Sequence, residues 1–200
     1  MTQDTSSSLL GDVATYYGQK LKKHGDTPKG VDWNSKESQV LRFQQLSKII
    51  SQQKKRFSLA DIGCGYGALF EYLAQTHDFS YLGVDICQSM IEVAQNRHLG
   101  NPGVSFVLAP KPDIPCDYCV ASGIFNVRLD NSDEDWLEYL HHTLRTLDKF
   151  SQKGFAFNCL SSYSDEDKMR DDLYYADSLD LFDHCKRIFS RNVTLLHDYG

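Results

Sequence analysis

The segment SLADIGCGYGALFEYL, residues 58–73, limits the possible folds of this chain more than any other segment. Its first part, residues 59–62, predicts a buried strand, and the apolar positions 69, 70 and 73 predict one face of a helix. Between them, every second residue from 63 to 67 is glycine. Glycines let the backbone turn sharply beside a ligand, and a helix start directs N–H groups towards an anion. The segment therefore predicts a nucleotide-binding turn.

Strands and helices alternate along the rest of the chain. Further strands are predicted at residues 81–85, 104–108, 118–122, 154–160 and 193–197. Helices are predicted at residues 12–23, from an N-cap at Asn34 to Ile50, around residues 90–94, and at residues 133–150 and 172–188. Such alternation produces parallel sheets with right-handed crossovers. We therefore predict an α/β fold, a Rossmann-like doubly wound, mostly parallel sheet with helices on both faces.

A chain of 200 residues has room for one domain of this kind and a short addition. We predict an N-terminal helical lid or appendage at residues 1–56 and the ligand-binding domain at residues 57–200. Ligands of such sheets bind outside the carboxyl ends of the strands. The glycine turn, Asp85 and Ser122 each follow or end a predicted strand, so we expect them to converge on one site.

Charge and composition exclude several kinds of partner. The formal net charge of -6 argues against nucleic acid, because phosphate contacts need clustered Lys and Arg. No apolar run is long enough to predict a membrane segment. Six scattered cysteines without a signal peptide indicate reduced thiols in a cytoplasmic protein. Cys116 and Cys119 lack two further ligands at matching spacing, so we predict no metal site.

The glycine turn matches two classes of ligand. Gly63, Gly65 and Ala68 fit the dinucleotide fingerprint, whereas Gly63, Gly65 and Gly67 fit the turn of enzymes that bind S-adenosylmethionine. Asp85 lies about 20 residues beyond the turn, at the end of the second strand, where an acid binds ribose hydroxyls of either ligand. The turn and Asp85 together leave both classes open.

Three further features favour S-adenosylmethionine. Asp61 precedes the turn, where a carboxylate would repel a pyrophosphate but would attract the ammonium group of a methionine moiety. Two predicted helices come before the turn and could form a lid, whereas dinucleotide-binding domains often open the chain. No second domain is predicted for a hydride acceptor.

These motifs resemble those of the class I S-adenosylmethionine-dependent methyltransferases, of the small bacterial type that acts on small molecules. DIGCGYG at residues 61–67 resembles the first motif of the family, and GVDICQSM at residues 83–90 resembles the second. CDYCVASGIF at residues 116–125 resembles the motif of the fourth strand. The resemblance covers residues 57–160 and implies the methyltransferase fold with S-adenosylmethionine as cofactor.

The resemblance also implies which residues contact the methyl donor. The amino-acid part would lie against the backbone of Gly63, Cys64 and Gly65, with the ammonium near Asp61, the ribose on Asp85, the adenine on Ile86 and the methionine end beside Ser122. Two departures stand out. Cys87 replaces the usual small polar cap, and Ala109-Pro110-Lys111 replaces an acid that often binds the adenine amino group. This leaves adenine recognition to backbone groups or to Gln88.

The predicted reaction is methyl transfer to an O, N or C nucleophile of a small molecule. Transfer from a sulfonium is a one-step displacement, so no catalytic residue is identified. The motifs of nucleic-acid amino-methylases and of protein arginine methyltransferases are absent, which favours a small-molecule acceptor. Candidate substrate contacts are Tyr17 and Trp33 in the predicted lid, and Phe125 and Asn126 after the fourth strand.

Two alternatives of other classes stay open. The chain could be a non-catalytic S-adenosylmethionine-binding module that regulates a partner, or, less well supported, an NAD-dependent oxidoreductase. In the family, a final antiparallel strand follows the sixth strand, yet the sequence ends at Gly200. We therefore expect this final strand to be missing and the sixth strand to form an exposed edge in a shortened chain.

Overall fold

Five parallel strands form the main sheet of the described chain, residues 3–50 and 55–199 of the computed structural model. They are β1 (Phe57–Ile62), β2 (Phe79–Asp85), β3 (Val104–Leu108), β4 (Cys116–Ala121) and β5 (Ser151–Phe157). Their spatial order is β3-β2-β1-β4-β5. The order reverses next to β1, so its carboxyl end opens into the crevice where ligands of such sheets bind. The predicted α/β class is confirmed.

Six helices accompany these strands in the described residues. They are α1 (Gln3–His24), α2 (Lys36–Leu46), α3 (Ala68–Leu73), α4 (Gln88–Arg97), α5 (Asp133–Phe150) and α6 (Ser178–Ile188). A 3-10 turn, Pro28–Val31, lies between α1 and α2. Two short strands, β6 (Leu160–Ser161) and β7 (Tyr175–Ala176), form a separate parallel pair.

Alternating side chains of the strands divide the core between the two faces of the sheet. Ala60 and Ile62 point to a face covered by α1, α5 and α6. Phe57 and Leu59 point to the opposite face, which is covered by α2, α3 and α4. Helices on both faces explain why β1, β2 and β4 are apolar along nearly their whole length.

Helix α5 forms where the sequence predicts it, residue for residue. The hydroxyl of Ser132 caps it by accepting the N–H of Asp135 at 3.1 Å. Trp136, Leu140 and Leu144 recur at helical spacing and are fully buried against the sheet. Strong amphipathic spacing and a side-chain cap therefore set both the position and the orientation of this helix.

The C-terminal region differs from its prediction in two ways. Residues 172–177 form no helix, because their backbone pairs with the loop after β4: the N–H of Tyr174 donates to the carbonyl of Asn126 at 2.8 Å. Helix α6 begins only at Ser178, where the Asp177 carboxylate caps it. Residues 193–197 form no strand, so the predicted sixth strand is wrong and β5 forms the sheet edge in the described chain.

The other differences concern boundaries. Helix α1 begins at Gln3 rather than at residue 12. The N-cap of α2 is Ser35 and not Asn34, because the Ser35 hydroxyl accepts the N–H of Ser38 at 3.1 Å. Strand β5 begins at Ser151, directly after α5, rather than at residue 154. Neighbouring polar residues can each cap a helix, so spacing alone does not choose between them.

The described helices include none that combines the length and the apolar character needed to cross a membrane. Within the same residues, no cluster of three or more His, Cys, Asp or Glu side chains is arranged to hold a metal ion. All six cysteines are unpaired.

Candidate active site

A large cavity, of about 960 Å³, opens at the carboxyl ends of β1, β2 and β4. Its volume lies at the upper end of the range for small-molecule sites, about 300–1,000 Å³. Most of the residues predicted from the sequence line it: Tyr17, Trp33, Asp61, Gly63, Cys64, Gly65, Asp85, Ile86, Ser122 and Asn126. The tertiary structure therefore brings together side chains from the N-terminal segment and from three strand ends.

Asp61 lies on β1 at the base of this cavity and is 2% exposed. One carboxylate oxygen, Oδ2, accepts a hydrogen bond of 2.5 Å from the hydroxyl of Tyr81. The other oxygen, Oδ1, is buried and has no partner among the described residues. Burial raises the pKa of Asp61 to about 7, against the opposing effect of the Tyr81 hydrogen bond. An unpaired buried carboxylate oxygen is costly, and a cationic ligand group would satisfy it.

The glycine turn approaches its neighbours too closely for side chains. Gly63 and Gly65 both have positive φ, at 74° and 53°. A Cβ on Gly63 would lie 2.1 Å from the Cγ2 of Ile124, and one on Gly65 would lie 3.0 Å from the Cγ1 of Val31. The positive φ and these contacts favour glycine at both positions, and glycine leaves bare backbone at the cavity.

Asp85 ends β2 and holds the glycine turn in place. Its Oδ2 accepts the backbone N–H of Gly65 at 2.9 Å, and its Oδ1 accepts that of Cys87 at 2.8 Å. Burial raises the pKa of Asp85, while these N–H groups oppose the rise. A carboxylate has about four lone-pair sites, so both oxygens retain capacity for ligand hydroxyls. Cys87 provides no side-chain cap for α4, as its sequence predicts.

Several polar side chains lie together just after the ends of β4 and β5. The hydroxyl of Ser122 and the Oδ1 of Asn126 line the cavity, are buried and have no hydrogen-bond partner in the described part of the chain. Beside them, the Oδ1 of Asn158 accepts the N–H of Gly123 at 2.9 Å. Orphaned buried polar atoms of this kind indicate a site for a polar ligand group.

The segment after α1 covers the cavity. The ring of Trp33 lies against Gly123, where a Cβ would be 3.0 Å from its Cζ2 atom. Val31 meets Gly65 over the turn, and Tyr17 packs between the sheet-side core and the start of α4. Residues 31–34, which we call the cover segment, thus connect the glycine turn to the loop after β4.

Asp32 anchors the cover segment to two distant elements. Its carboxylate accepts the Lys20 ammonium at 2.5 Å and the Tyr16 hydroxyl at 2.8 Å, both on α1. The guanidinium of Arg170, in the segment between β6 and β7, lies 3.7 Å away. The backbone of Asp32 is left-handed, with φ 61°. One carboxylate therefore joins α1, the cover segment and the C-terminal region at the cavity.

Phe125 is not brought to the cavity. Its side chain is fully buried and packs edge-on against Phe157, with a centroid distance of 5.7 Å. Its carbonyl accepts the indole N–H of Trp136 at 2.8 Å. Phe125 therefore fixes the loop that carries Asn126 and has no exposed surface for a substrate.

Sequence reasoning missed several residues of the site. Asn158 follows β5, so the rule that singled out Ser122 could have found it. Asp32 has no local signal, because its three partners are far away in sequence. Thr143 also lines the cavity, from the middle of α5, where helical spacing predicts only a packing position.

Comparisons with solved structures agree on the fold. The chain superposes on DhpI in its complex with SAH with a TM-score of 0.59 and 14% identity, over 90% of this chain and 86% of that one. It superposes on the mycolic acid cyclopropane synthase CmaA1, complexed with SAH and CTAB, with a TM-score of 0.51 and 17% identity. That match covers 62% of this chain and only 44% of CmaA1.

Sequence comparisons identify the family. A family model described as a methyltransferase domain matches residues 59–149. The chain is 52% identical over 145 residues to the Mycobacterium tuberculosis protein "Putative methyltransferase Rv1506c", over 72% of this chain and 87% of that protein. The chain belongs to the class I methyltransferases, whose methyl donor is S-adenosylmethionine.

Proposed function

We propose that this protein transfers the methyl group of S-adenosylmethionine to an O, N or C nucleophile of a small molecule. The observation that carries the proposal is the free Oδ1 of Asp61, buried at the base of the cavity beside the bare backbone of the glycine turn. A cationic amino-acid group beside this oxygen would receive the missing hydrogen bond and compensate the buried charge.

The residues at the carboxyl ends of β1, β2 and β4 fit the different parts of S-adenosylmethionine, the proposed methyl donor. Asp61 would accept the ammonium, and the backbone from Gly63 through Cys64 to Gly65 would follow the amino-acid chain. Asp85 would accept the ribose hydroxyls while it keeps its hold on Gly65. Ile86 would pack on the adenine, and the free hydroxyl of Ser122 would meet the methionine end.

The rest of the cavity offers a place for the acceptor. Trp33 and Tyr17 provide aromatic surface from the N-terminal side, and Asn126 provides a free amide oxygen from the loop after β4. A cavity that the cover segment closes over suits a small acceptor better than a polymer.

We infer that residues 1–56 act as the lid of a domain at residues 57–200. We also infer that the reaction takes place in the cytoplasm, where six unpaired cysteines stay reduced.

Methyl transfer requires little from the protein beyond the correct positioning of donor and acceptor. The donor would supply a methyl carbon activated by its sulfonium. A lone pair of the acceptor would form the new bond to this carbon as the carbon–sulfur bond breaks, its electron pair would stay on the sulfur of the departing S-adenosylhomocysteine, and an N–H or O–H acceptor would release its proton to solvent. The chain contributes orientation through Asp61 and Asp85, and the cover segment excludes water. For an N–H or O–H nucleophile, the Oδ1 of Asn126 can accept its hydrogen bond and so align its lone pair with the methyl.

Calorimetry and turnover test the proposal in sequence. Titration of the protein with S-adenosylmethionine should give saturable binding with a Kd in the micromolar range. Incubation with radiolabelled donor and a panel of hydroxyl, amine and activated-carbon acceptors should then label at least one small molecule. Absence of donor binding to the folded protein would overturn the proposal. Binding without transfer to any acceptor would favour a non-catalytic binding module instead.

A further inference from the structure

The connection between β3 and β4 lacks the helix that parallel strands usually need. Crossovers between parallel strands usually take a dozen or more residues and contain a helix. Here, residues 109–115 join the two strands and contain no helix. The face of the sheet that carries Ala60 and Ile62 is covered by the first half of α1 and by α5, and the buried side chains of both helices belong to the same hydrophobic core.

The cavity extends into the space between these two helices. Leu10 and Val13 line it from α1, and Tyr139 and Thr143 line it from α5. Residues 109–111, directly after β3, line the same cavity. The missing crossover helix therefore leaves a groove that continues from the ribose acid Asp85 towards the end of β3.

The topology places the purine of the donor in this groove, on the basis of the proposed function. The amino-acid part lies at the turn after β1, and the ribose lies at Asp85 after β2. Because β3 is the next strand in the order β3-β2-β1, a donor extended across the strand ends carries its base towards residues 109–111. The backbone N–H of Ala109 already donates to the carbonyl of Asp85 at 3.0 Å, so it is not available to the base.

Gln88, which the sequence offers for adenine recognition, points elsewhere. Its amide donates to the Glu92 carboxylate at 2.8 Å on the exposed surface of α4. Thr143 is better placed, because it is 7% exposed and lines the groove. Its hydroxyl donates to the carbonyl of Tyr139 at 2.9 Å, and Thr146, one turn further on, donates to the carbonyl of His142 at 3.1 Å.

The two threonines can therefore only accept hydrogen bonds from a ligand. A hydroxyl has one proton, and once the helix backbone receives it, only the oxygen lone pairs face outwards. Residues three apart lie on the same helix face, so Thr143 and Thr146 present these lone pairs side by side. The 6-amino group of adenine is a double donor and complements them. We propose that Thr143, supported by Thr146, recognises the adenine amino group and selects adenosyl over 6-oxo donors.

The test compares S-adenosylhomocysteine with S-inosylhomocysteine, in which a carbonyl replaces the amino group. Calorimetry on the wild-type protein should show at least about tenfold tighter binding of the adenosyl compound, since a lone pair facing a carbonyl leaves both groups unsatisfied. Thr143→Val should reduce this ratio to near one. Thr143→Ser, which keeps the hydroxyl, should retain it.

Each outcome is informative. Thr146→Val, at a more accessible position, should lower the ratio in part, and it keeps the test valid if Thr143→Val does not fold. A wild-type protein that binds neither compound contradicts the proposed function. A protein that prefers the adenosyl compound with an unchanged ratio in the folded valine variants retains that function and overturns the role of the threonines.

Discussion

The carboxylate of Asp85 accepts the backbone N–H of Gly65 at 2.9 Å, across 20 positions of sequence. The residue that is proposed to bind the ribose thus also fixes the glycine turn that is proposed to bind the amino-acid part. Both proposed contacts with the methyl donor therefore depend on Asp85, because the ends of β1 and β2 are neighbours in the sheet.

Replacement of this carboxylate should weaken both functions at once. In Asp85→Asn, the amide can accept from only one of the two N–H groups, and its NH2 faces the other. We expect a loss of about 1–3 kcal/mol in unfolding free energy and donor affinity at least about tenfold weaker. Chemical denaturation and calorimetry measure the two effects. Asp78→Asn, at the exposed opposite end of the same strand, is the matched control and should change neither.

Asp61 should make the stability of the free protein depend on pH. Its pKa is about 7 in the folded protein and about 3.9 in an unfolded chain. Between these values the folded state binds more protons than the unfolded state, so stability should fall as pH rises from about 4 to 7. Chemical denaturation across this pH range should show this fall in the unfolding free energy of the wild type relative to that of Asp61→Asn.

The same carboxyl links donor binding to proton release. An ammonium next to Asp61 favours the ionised form, so binding near pH 6 should release a proton. Calorimetry in buffers of different ionisation enthalpy counts that proton. A pH-independent difference in stability, or no proton release from a protein that binds the donor, would contradict this role for Asp61.

The ion pairs of Asp32 should control how long a ligand stays bound. Asp32→Asn keeps a residue type that tolerates the left-handed backbone, but it removes the charge that holds Lys20 and Arg170. We expect the donor to dissociate about fivefold faster, which corresponds to about 1 kcal/mol for a partly buried pair. Stopped-flow fluorescence measures the rate. Asp183→Asn breaks an exposed pair on α6 and should leave it unchanged.

Trp136 should be critical for the loop that carries Asn126. Trp136→Ala should lower the unfolding free energy by about 3–5 kcal/mol, because the side chain is fully buried. Trp136→Phe should cost about 1–3 kcal/mol, since it leaves the carbonyl of Phe125 without its donor. Urea denaturation measures both. Leu179→Ala, on the exposed face of α6, should stay within about 0.5 kcal/mol of the wild type.

The sequence predicted the elements whose signals are local. Strand β1, the glycine turn and α5 form as expected, because apolar spacing and caps act within a few residues. The C-terminal region is different. Residues 172–177 have a helix-like pattern, yet their N–H and C=O groups pair with the loop after β4, and a sequence cannot show whether such a partner is nearby.

The sequence alone predicted the class of the fold, because alternating strands and helices follow from chain-local spacing, and Asp61 and the resemblance of the motifs to those of a known family favoured S-adenosylmethionine as the methyl donor. Only the tertiary structure decided what surrounds the predicted site. Asp32 meets Lys20 and Arg170, Phe125 turns into the core, and Thr143 lines the cavity. These contacts join residues far apart in the chain. They depend on which helices cover the sheet, since the short connection between β3 and β4 contributes no helix of its own.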